Sequence, residues 1–176
     1  MIIKGEKTTL RPIKLADAPR FVKWFADFEV TQFISGRRVT LAEERKWIRG
    51  LSKKKRQLAL AIETKDGVHI GSIGFHEIST KDKNATFGIS IGDKRYWNHG
   101  YGTDATRILL RYGFQKLKLH RIGLEVHENN PRAIKVYKCL GFKKEGIKRE
   151  SVLRKGKFHN SIVMSILKNE WKERNK

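Results

Sequence analysis

Cysteine is almost absent from the sequence, in which Cys139 is the single thiol among 176 residues. One thiol excludes an intramolecular disulfide and a multi-cysteine metal site. Long apolar runs are absent too, because no stretch approaches the roughly 18 to 20 apolar residues of a membrane-spanning helix, and the first twenty residues do not resemble a secretory signal. The absences predict a cytoplasmic chain with no membrane span and no metal site.

Acidic residues are scarce as well, since 18 Asp and Glu stand against 39 Lys and Arg and leave a formal net charge of +21. A surface this basic attracts anions such as nucleic acid, phospholipid head groups or a phosphorylated cofactor, although a merely solvated surface has the same composition. Basic runs such as 53–56 contain no interleaved aromatic residues of the kind that stack on bases. RNA therefore stays open as a partner, without a sign of sequence-specific recognition.

Apolar residues make up 39% of the chain and are spread along its length, which predicts one domain over residues 1–176. Their periodicity predicts the order β-α-α-β-β-β-α-β-α-β-β, a mixed α/β fold with about seven strands in a mostly antiparallel sheet and about four helices. Thr40 followed by Glu43 has the pattern of a capping box at the start of the second helix. The predicted strands are 2–11, 58–63, 68–78, 85–91, 121–126 and two runs around 154–156, and the last three helices are 41–54, 102–116 and 131–140.

Two glycines, Gly100 and Gly102, open the third predicted helix. Backbone amides in such a loop and the positive end of the helix favour a phosphate or pyrophosphate. The loop also satisfies Gly-x-Gly-x-x-Ala through Ala105, with Glu125 about twenty residues later, as in dinucleotide-binding units. In those units the glycines follow the strand directly, but residues 93–99 intervene here, and too little chain follows Glu125 for the further βαβ units. No Gly-Lys-Ser/Thr follows the glycines either, so a Walker phosphate loop is excluded.

A second motif, Asn-x-x-Ala-x-x-x-Tyr-x-x-x-Gly-Phe, occupies residues 130–142. The Gly-x-Gly loop and this motif, at this separation, resemble the GNAT superfamily of acetyl-coenzyme A (acetyl-CoA) dependent N-acetyltransferases. Leu-Arg-Pro at 10–12 with Asp17, Tyr-Trp at 96–97 and a closing segment with Trp171 are similar to the branch of ribosomal-protein and spermidine acetyltransferases. The resemblance covers nearly the whole chain and implies a GNAT-like fold.

The resemblance also implies what individual residues do. The strand before the loop pairs with the pantetheine arm, the loop amides hold the pyrophosphate, Asn130 binds the arm near the thioester, and Tyr137 protonates the departing thiolate as general acid. A neutral amine attacks the acetyl carbonyl directly, and a strand amide near 89–91 stabilises the oxyanion. The implied cofactor-binding residues are Ile89, Ser90, Ile91, Trp97, Asn98, His99, Gly100, Tyr101, Gly102, Thr103 and Asn130.

The general base stays unassigned at this point. Many members of this branch have glutamate in an Ala-Glu-x-Gly context before the loop, where this chain has Thr86. Glu77 and Glu125 are the carboxylate candidates near strand ends, and His76 and His127 stand beside them. Proton removal through a water molecule is a further alternative.

The acceptor amine is expected to be a protein N-terminus, in the manner of a ribosomal-protein acetyltransferase. The positive surface repels a polycation, while nearby ribosomal RNA could attract the enzyme to such a terminus. The alternatives are a small amine such as a polyamine, amino sugar or antibiotic, and a non-catalytic basic module that binds coenzyme A or RNA. Thr86 and Asn160, which stand where relatives often have acids, motivate the non-catalytic alternative. A monomer and a homodimer are both open.

Overall fold

The computed structural model describes residues 1–34 and 38–174, which form eight strands and six α-helices. The strands are β1 (Ile3–Lys4), β2 (Thr8–Pro12), β3 (Leu58–Thr64), β4 (His69–Ser79), β5 (Asn84–Ile91), β6 (Arg121–His127), β7 (Lys143–Arg154) and β8 (Lys157–Leu167). The helices are α1 (Ala18–Ala26), α2 (Phe28–Thr31), α3 (Leu41–Gly50), α4 (Tyr101–Gln115), α5 (Pro131–Cys139) and α6 (Lys168–Arg174). Single 3-10 turns lie at Leu15–Asp17, Leu51–Lys53 and Lys94–Tyr96.

All eight strands belong to one sheet, in the order β1-β2-β3-β4-β5-β6-β8-β7. Only the β5–β6 pair is parallel, and the other neighbours in this described sheet are antiparallel. A parallel pair needs a crossover connection, which α4 supplies here. The predicted mixed α/β fold with a mostly antiparallel sheet is confirmed.

The sheet opens between β5 and β6. The two strands pair only from Asn84↔Arg121 to Thr86↔Gly123. Beyond these residues β5 stays paired with β4 as far as Ile91, and β6 stays paired with β8. We call the gap between residues 87–91 of β5 and residues 124–127 of β6 the splay. It leaves the β6-facing backbone groups of β5 without a strand partner in the described sheet.

Different helices cover the two faces of the sheet. Helix α4 covers the face that we call the α4 face, where Phe75, Leu109 and Phe114 belong to the large buried core. Helices α1 and α3 cover the opposite face, the α1 face, around a smaller cluster that includes Phe21 and Trp24. Burial of each such side chain stabilises the fold by roughly 1.5–3 kcal/mol. Packed helices therefore hold both strands that border the splay in place.

The predicted capping box at the start of α3 is confirmed. The Thr40 Oγ1 accepts a hydrogen bond from the Glu43 amide at 3.2 Å, and a Glu43 carboxylate oxygen accepts one from the Thr40 amide at 2.8 Å. The helix ends earlier than expected, since residues 51–53 form a 3-10 turn.

The expectation of about seven strands is one too few, because the predicted strand 2–11 is two strands. The Gly5 amide donates to the Thr8 carbonyl at 2.8 Å and closes a turn between them. The alternation of apolar and polar residues continues through this turn, so the sequence pattern did not indicate it. Asp104, almost a hundred residues away, completes the turn because its carboxylate accepts hydrogen bonds from the amides of residues 6–8.

The expectation of about four helices is also too low, by two short helices. The Asp27 carboxylate accepts from the Glu29 amide at 2.9 Å and caps the single turn of α2. Helix α6 follows β8, so the described chain ends in a helix and not in a strand as predicted. Glu170 accepts from the Leu167 amide at 2.9 Å, and Trp171 packs on Phe114 with ring centroids 5.4 Å apart. Both helices are short enough that only such contacts fix them.

Across residues 1–34 and 38–174, no helix combines the length and the apolar character needed to span a membrane.

Candidate active site

The glycine loop ends directly at the first turn of α4. Gly100 is the N-cap residue and has φ of 82°, a left-handed conformation that glycine adopts without steric cost. It offers no capping side chain, so the first amides of α4 have no hydrogen-bond acceptor among the described residues. These amides and the helix dipole create a site for a negatively charged group.

Asp104 fixes the position of this helix end. Its carboxylate is buried and accepts from the amides of Glu6, Lys7 and Thr8 at 3.2, 3.0 and 2.8 Å, and from the Thr8 hydroxyl at 2.6 Å. Burial alone would raise the pKa of Asp104, but the hydrogen bonds from Thr8 and from these amides outweigh it, and the pKa lies below its usual value. The carboxylate thus ties α4 to the turn between β1 and β2.

The same turn brings a cation to the loop. The Lys7 ammonium donates to the His99 carbonyl at 3.1 Å and lies 3.6 Å from the position of a β-carbon built on Gly100. No local motif contains Lys7, so no sequence pattern indicated that it belongs to the site. Its charge adds to that of the helix end for an anionic ligand.

Residues 89–91 of β5 form one wall of the splay. Their backbone is paired with β4 on one side, whereas the side toward β6 is open. The Trp97 indole donates to the Ile91 carbonyl at 2.8 Å and thereby fixes the start of the loop against the strand. An extended ligand with amide groups fits the hydrogen-bonding groups that remain along this edge.

Asn130 is the N-cap of α5, and its side-chain oxygen accepts from the Ala133 amide at 3.2 Å. The side-chain nitrogen of Asn130 makes no hydrogen bond with a residue that the structure describes. The Arg132 guanidinium lies 4.3 Å from the centroid of the Trp97 ring and so brings a positive charge from α5 to the glycine loop. Arg132 was not predicted, although its place two residues after Asn130 in the second motif could have indicated it.

Tyr137 lies inside the core on the α4 face, with 9% of its surface exposed. Its ring contacts Phe87 of β5 and Phe142, with centroids 5.9 and 5.7 Å apart. The hydroxyl has no hydrogen-bond partner among the described residues. Burial raises the pKa of Tyr137 to about 12, so the phenol keeps its proton at neutral pH and can donate it.

A cleft of about 740 Å³ joins these elements and passes through the splay. Every predicted cofactor-binding or catalytic residue lines it except His99, whose side chain is exposed and whose carbonyl accepts a hydrogen bond from Lys7. One end of the cleft lies at the glycine loop and the start of α5. The other end lies on the α1 face, and its walls include Phe25, Phe33 and Trp47.

The carboxylates at this second end of the cleft are already paired. Glu29 and its neighbour Asp27 both bind Lys94, at 2.7 and 2.8 Å. Glu125 forms an ion pair with Lys148. Of the described cleft-lining residues, Glu29 and Glu125 are the acidic ones, so this end presents no unpaired carboxylate.

The strand hairpin β7–β8 closes the second end from the side. Arg154 donates to the Ile34 carbonyl at 3.1 Å and links the hairpin to the segment after α2. Asn160 donates through its side-chain nitrogen to Glu128 at 2.9 Å and accepts from the Glu150 amide at 2.8 Å. Both side-chain groups of Asn160 therefore make hydrogen bonds that help to hold the hairpin in position.

Of the four candidate bases, Glu77 is the one that does not line the cleft, and it accepts a hydrogen bond from Thr86 at 3.0 Å. His76 and His127 both line it. Burial lowers the pKa of His76, and burial followed by the charges of Arg154 and His159 lowers that of His127. Both imidazoles are therefore neutral near pH 7.

Among the described residues, no three His, Cys, Asp or Glu side chains come together as a metal site would require. Cys139 is exposed on α5 and is not among the cleft-lining residues.

Comparison with known proteins shows which family and which relatives the chain is similar to. A family model described as an acetyltransferase (GNAT) domain matches residues 7–143. The "Uncharacterized N-acetyltransferase p20" of Bacillus licheniformis is 30% identical over 172 residues, which cover 94% of this chain and 96% of that protein. Spermidine N(1)-acetyltransferase of Escherichia coli K12 is 32% identical over 106 residues, or 60% of this chain and 56% of that enzyme.

A solved structure has the same fold. Spermidine N-acetyltransferase from Vibrio cholerae, in complex with CoA and spermine, superposes with a TM-score of 0.88 at 22% identity, covering 94% of this chain and 98% of that one. At this identity the similarity demonstrates the fold alone.

Proposed function

Because this chain belongs to the GNAT family of acetyltransferases and so takes its acetyl group from acetyl-CoA, we propose that its acceptor is the N-terminal amine of a peptide or protein. The family and the names of the relatives favour an enzyme over a non-catalytic module. We treat residues 1–176 as one acetyltransferase domain.

The residues at the glycine loop fit acetyl-CoA. The pyrophosphate of coenzyme A needs donors and positive charge, which the first amides of α4, Lys7 and Arg132 supply. The pantetheine arm carries two amides, and the open edge of β5 at 89–91 together with the Asn130 side chain offers matching groups. Acetyl-CoA, when bound, supplies an acetyl thioester that an amine can attack.

Tyr137 acts as the general acid in this proposal. Its phenol lies on the α4 face beside Phe87, where the cleft passes the splay. The raised pKa keeps the proton on the oxygen until a thiolate leaves, and transfer to sulfur then completes the departure of coenzyme A. Amides of β5 that face the splay stabilise the negative charge that develops on the acetyl oxygen.

We base the choice of acceptor on the charge at the second end of the cleft, on the α1 face, which we call the acceptor end. Glu29 and Glu125 are the acids that line the described cleft, and each is bound by a lysine. A polycation would need these carboxylates unpaired, whereas a peptide amine carries one charge and can place its side chain against Phe25, Phe33 and Trp47.

A small polyamine is the second candidate acceptor, and a specific observation favours it. One relative is named as a spermidine N(1)-acetyltransferase and shares 32% identity over 106 residues with this chain. The net charge of +21 and the lysine-bound acids count against it.

The test is an acceptor panel with the purified protein and acetyl-CoA. The panel contains short peptides that begin with different residues, their N-terminally blocked counterparts, spermidine, spermine and glucosamine. Release of the coenzyme A thiol and mass spectrometry of the product measure transfer. We expect acetylation of free but not of blocked peptide termini. Faster turnover of spermidine than of any peptide would support the second candidate, and no transfer to any amine would refute both.

A further inference from the structure

His76 lies at the point where the sheet begins to open. It is directly opposite Thr86 in the antiparallel β4–β5 pair, and Thr86 is the last residue of β5 that pairs with β6. Side chains of directly opposed residues share a face of the sheet and lie about 5 Å apart at their β-carbons. His76 therefore stands at the closed end of the splay.

The imidazole lies close to Gly88, the next residue of β5 on the same face as Thr86. A β-carbon built on Gly88 would lie 3.2 Å from Nε2 of His76, which is closer than about nine in ten contacts of real β-carbons. Any larger residue at position 88 would displace the ring. Both His76 and Gly88 line the cleft.

Tyr137 and His76 approach the same stretch of β5 from opposite faces. Tyr137 contacts Phe87 on the α4 face, whereas His76 contacts Gly88 on the α1 face. Consecutive residues of a strand point to opposite sides, so a group held in the splay at 87–88 has the phenol on one side and the imidazole on the other. The α1 face is also the face with the aromatic walls that we assign to the acceptor.

The other candidate bases are less well placed. Glu77 accepts a hydrogen bond from Thr86 and does not line the cleft. Glu125 is engaged by Lys148. His127 lines the cleft but lies at the far end of β6, four residues beyond the Thr86↔Gly123 pair, or about 13 Å at the rise of a strand.

The His76 side chain is exposed, and its pKa lies below the usual value for histidine, which favours the uncharged imidazole near pH 7. Burial lowers its pKa most, the charge of Glu77 raises it, and the charge of Lys54 lowers it, with a net result below the usual value. The groups on the neighbouring segments are uncharged here, namely Gln57 just before β3, Ala59 of β3, and Thr86 and Gly88 of β5. Neither ring nitrogen hydrogen-bonds to a residue that the structure describes, so a lone pair is available.

We propose that His76 is the general base that accepts the proton of the acceptor amine, in place of the carboxylate that Thr86 does not provide. This inference rests on the proposed function. The imidazole takes one proton from the ammonium group, and the freed nitrogen lone pair forms the bond to the acetyl carbon. The carbon–sulfur bond breaks, and its electron pair leaves on sulfur, which takes the phenol proton of Tyr137. The acylated nitrogen, which still carries two protons, loses one of them to water and becomes the neutral amide N–H. The Tyr137 phenolate takes a proton back from water, and the His76 imidazolium gives its proton to water, so one proton is released per acetyl transfer.

The test compares His76→Gln with the wild-type enzyme on the best acceptor of the panel. We expect the acetyl-CoA affinity, measured by calorimetry, to be unchanged and kcat near pH 7 to fall by roughly a hundredfold, in keeping with a general base. The loss should shrink above about pH 9, where a peptide α-amine of pKa near 8 is neutral without help. In the wild type kcat/KM should fall on the acidic side with an ionisation below about 6.5, and this limb should be absent in the variant.

Two further variants separate a base from a structural role. His120→Gln is the matched control, because His120 is exposed and is not among the cleft-lining residues, and it should keep the wild-type rate. Added imidazole should restore part of the activity of His76→Ala, and Thr86→Glu in the His76→Gln background should restore part of it by placing a carboxylate opposite the missing ring.

The outcomes distinguish a wrong assignment of His76 from a wrong proposed function. Wild-type turnover with an equally active His76→Gln, or with a loss that is the same at every pH, would overturn the assignment of His76 and leave the proposed function intact. Failure of the wild type to acetylate any amine while acetyl-CoA binds would overturn the proposed function, and the assignment of His76 with it.

Discussion

The two ends of the cleft are built from different kinds of chemical group. The donor end, which comprises residues 89–91, 97–104 and 130–132, presents mainly backbone amides, a left-handed glycine and a helix terminus. The acceptor end, which comprises Phe25, Glu29, Phe33, Trp47 and Glu125, presents side chains from separate elements. Backbone groups are the same for any sequence that adopts the fold, whereas side chains are free to vary. The donor end therefore depends mainly on the fold, whereas the acceptor end depends on the side chains of separate elements.

Tyr137 lies between the two ends, and its removal should have the largest effect. Tyr137→Phe removes the proton donor but keeps the ring packed on Phe87 and Phe142, so we expect kcat to fall roughly ten- to a thousandfold with unchanged acetyl-CoA affinity. Steady-state kinetics and calorimetry measure the two quantities. Tyr112→Phe, which removes a half-buried phenol outside the cleft, is the control. An unchanged kcat would remove Tyr137 from the chemistry.

Asp104 tests whether the donor end depends on its buried anchor. Asp104→Asn exchanges a carboxylate that accepts four hydrogen bonds for an amide whose nitrogen faces donors, so we expect a loss of about 2–3 kcal/mol in the free energy of unfolding. Urea denaturation measures it, and Asp66→Asn in an exposed turn is the control.

The pH dependence of the same anchor has a definite sign. The folded-state pKa of Asp104 is lowered, so its contribution is fully present above the unfolded value of about 3.9 and is lost as the pH falls through the folded value. The difference between wild type and Asp104→Asn should therefore stay constant near neutrality and shrink below about pH 4. A difference that grows on acidification would contradict this account.

Gly100 tests the backbone character of the donor end more locally. Gly100→Ala places a side chain at φ of 82°, which costs roughly 1 kcal/mol, and we expect about tenfold weaker binding of acetyl-CoA because the loop shifts to relieve the strain. Gly67→Ala is the matched control, because Gly67 has a similar φ of 77° and lies in a turn outside the cleft. Both variants should lose similar stability, and only Gly100→Ala should lose affinity in calorimetry. Equal acetyl-CoA affinities of the two variants would contradict a role of this loop in binding the ligand.

Lys94 tests the acceptor end, and its effect should be the smallest. Lys94→Ala frees the carboxylates of Asp27 and Glu29, so we expect kcat/KM for spermidine to rise by about two- to fivefold, the range typical of exposed ion pairs. Arg95→Ala removes the same charge from the next residue, which pairs with Asp93 instead, and should leave the spermidine rate unchanged. Equal gains in both variants would indicate a general effect of surface charge.

Sequence reasoning named more residues that line the donor end of the cleft than residues that line the acceptor end. The glycines and the motif from Asn130 to Tyr137 are local, with fixed spacings that a linear sequence displays directly. Lys7 and Asp104 belong to the same region but meet across almost a hundred residues, and no spacing rule connects them. The turn at Gly5–Lys7 was missed for the same reason, since a distant carboxylate completes it.

The sequence by itself determined the order of the longer elements, the glycine loop before α4 and the position of the phenol in its motif, because short-range periodicity and local motifs encode all three. Tertiary structure decided where β5 and β6 part, which carboxylates are held by lysines, and that His76 stands opposite Thr86 at the closed end of the splay. These features are pairings between distant segments. Their register depends on the packing of the whole sheet, which no short stretch of sequence contains.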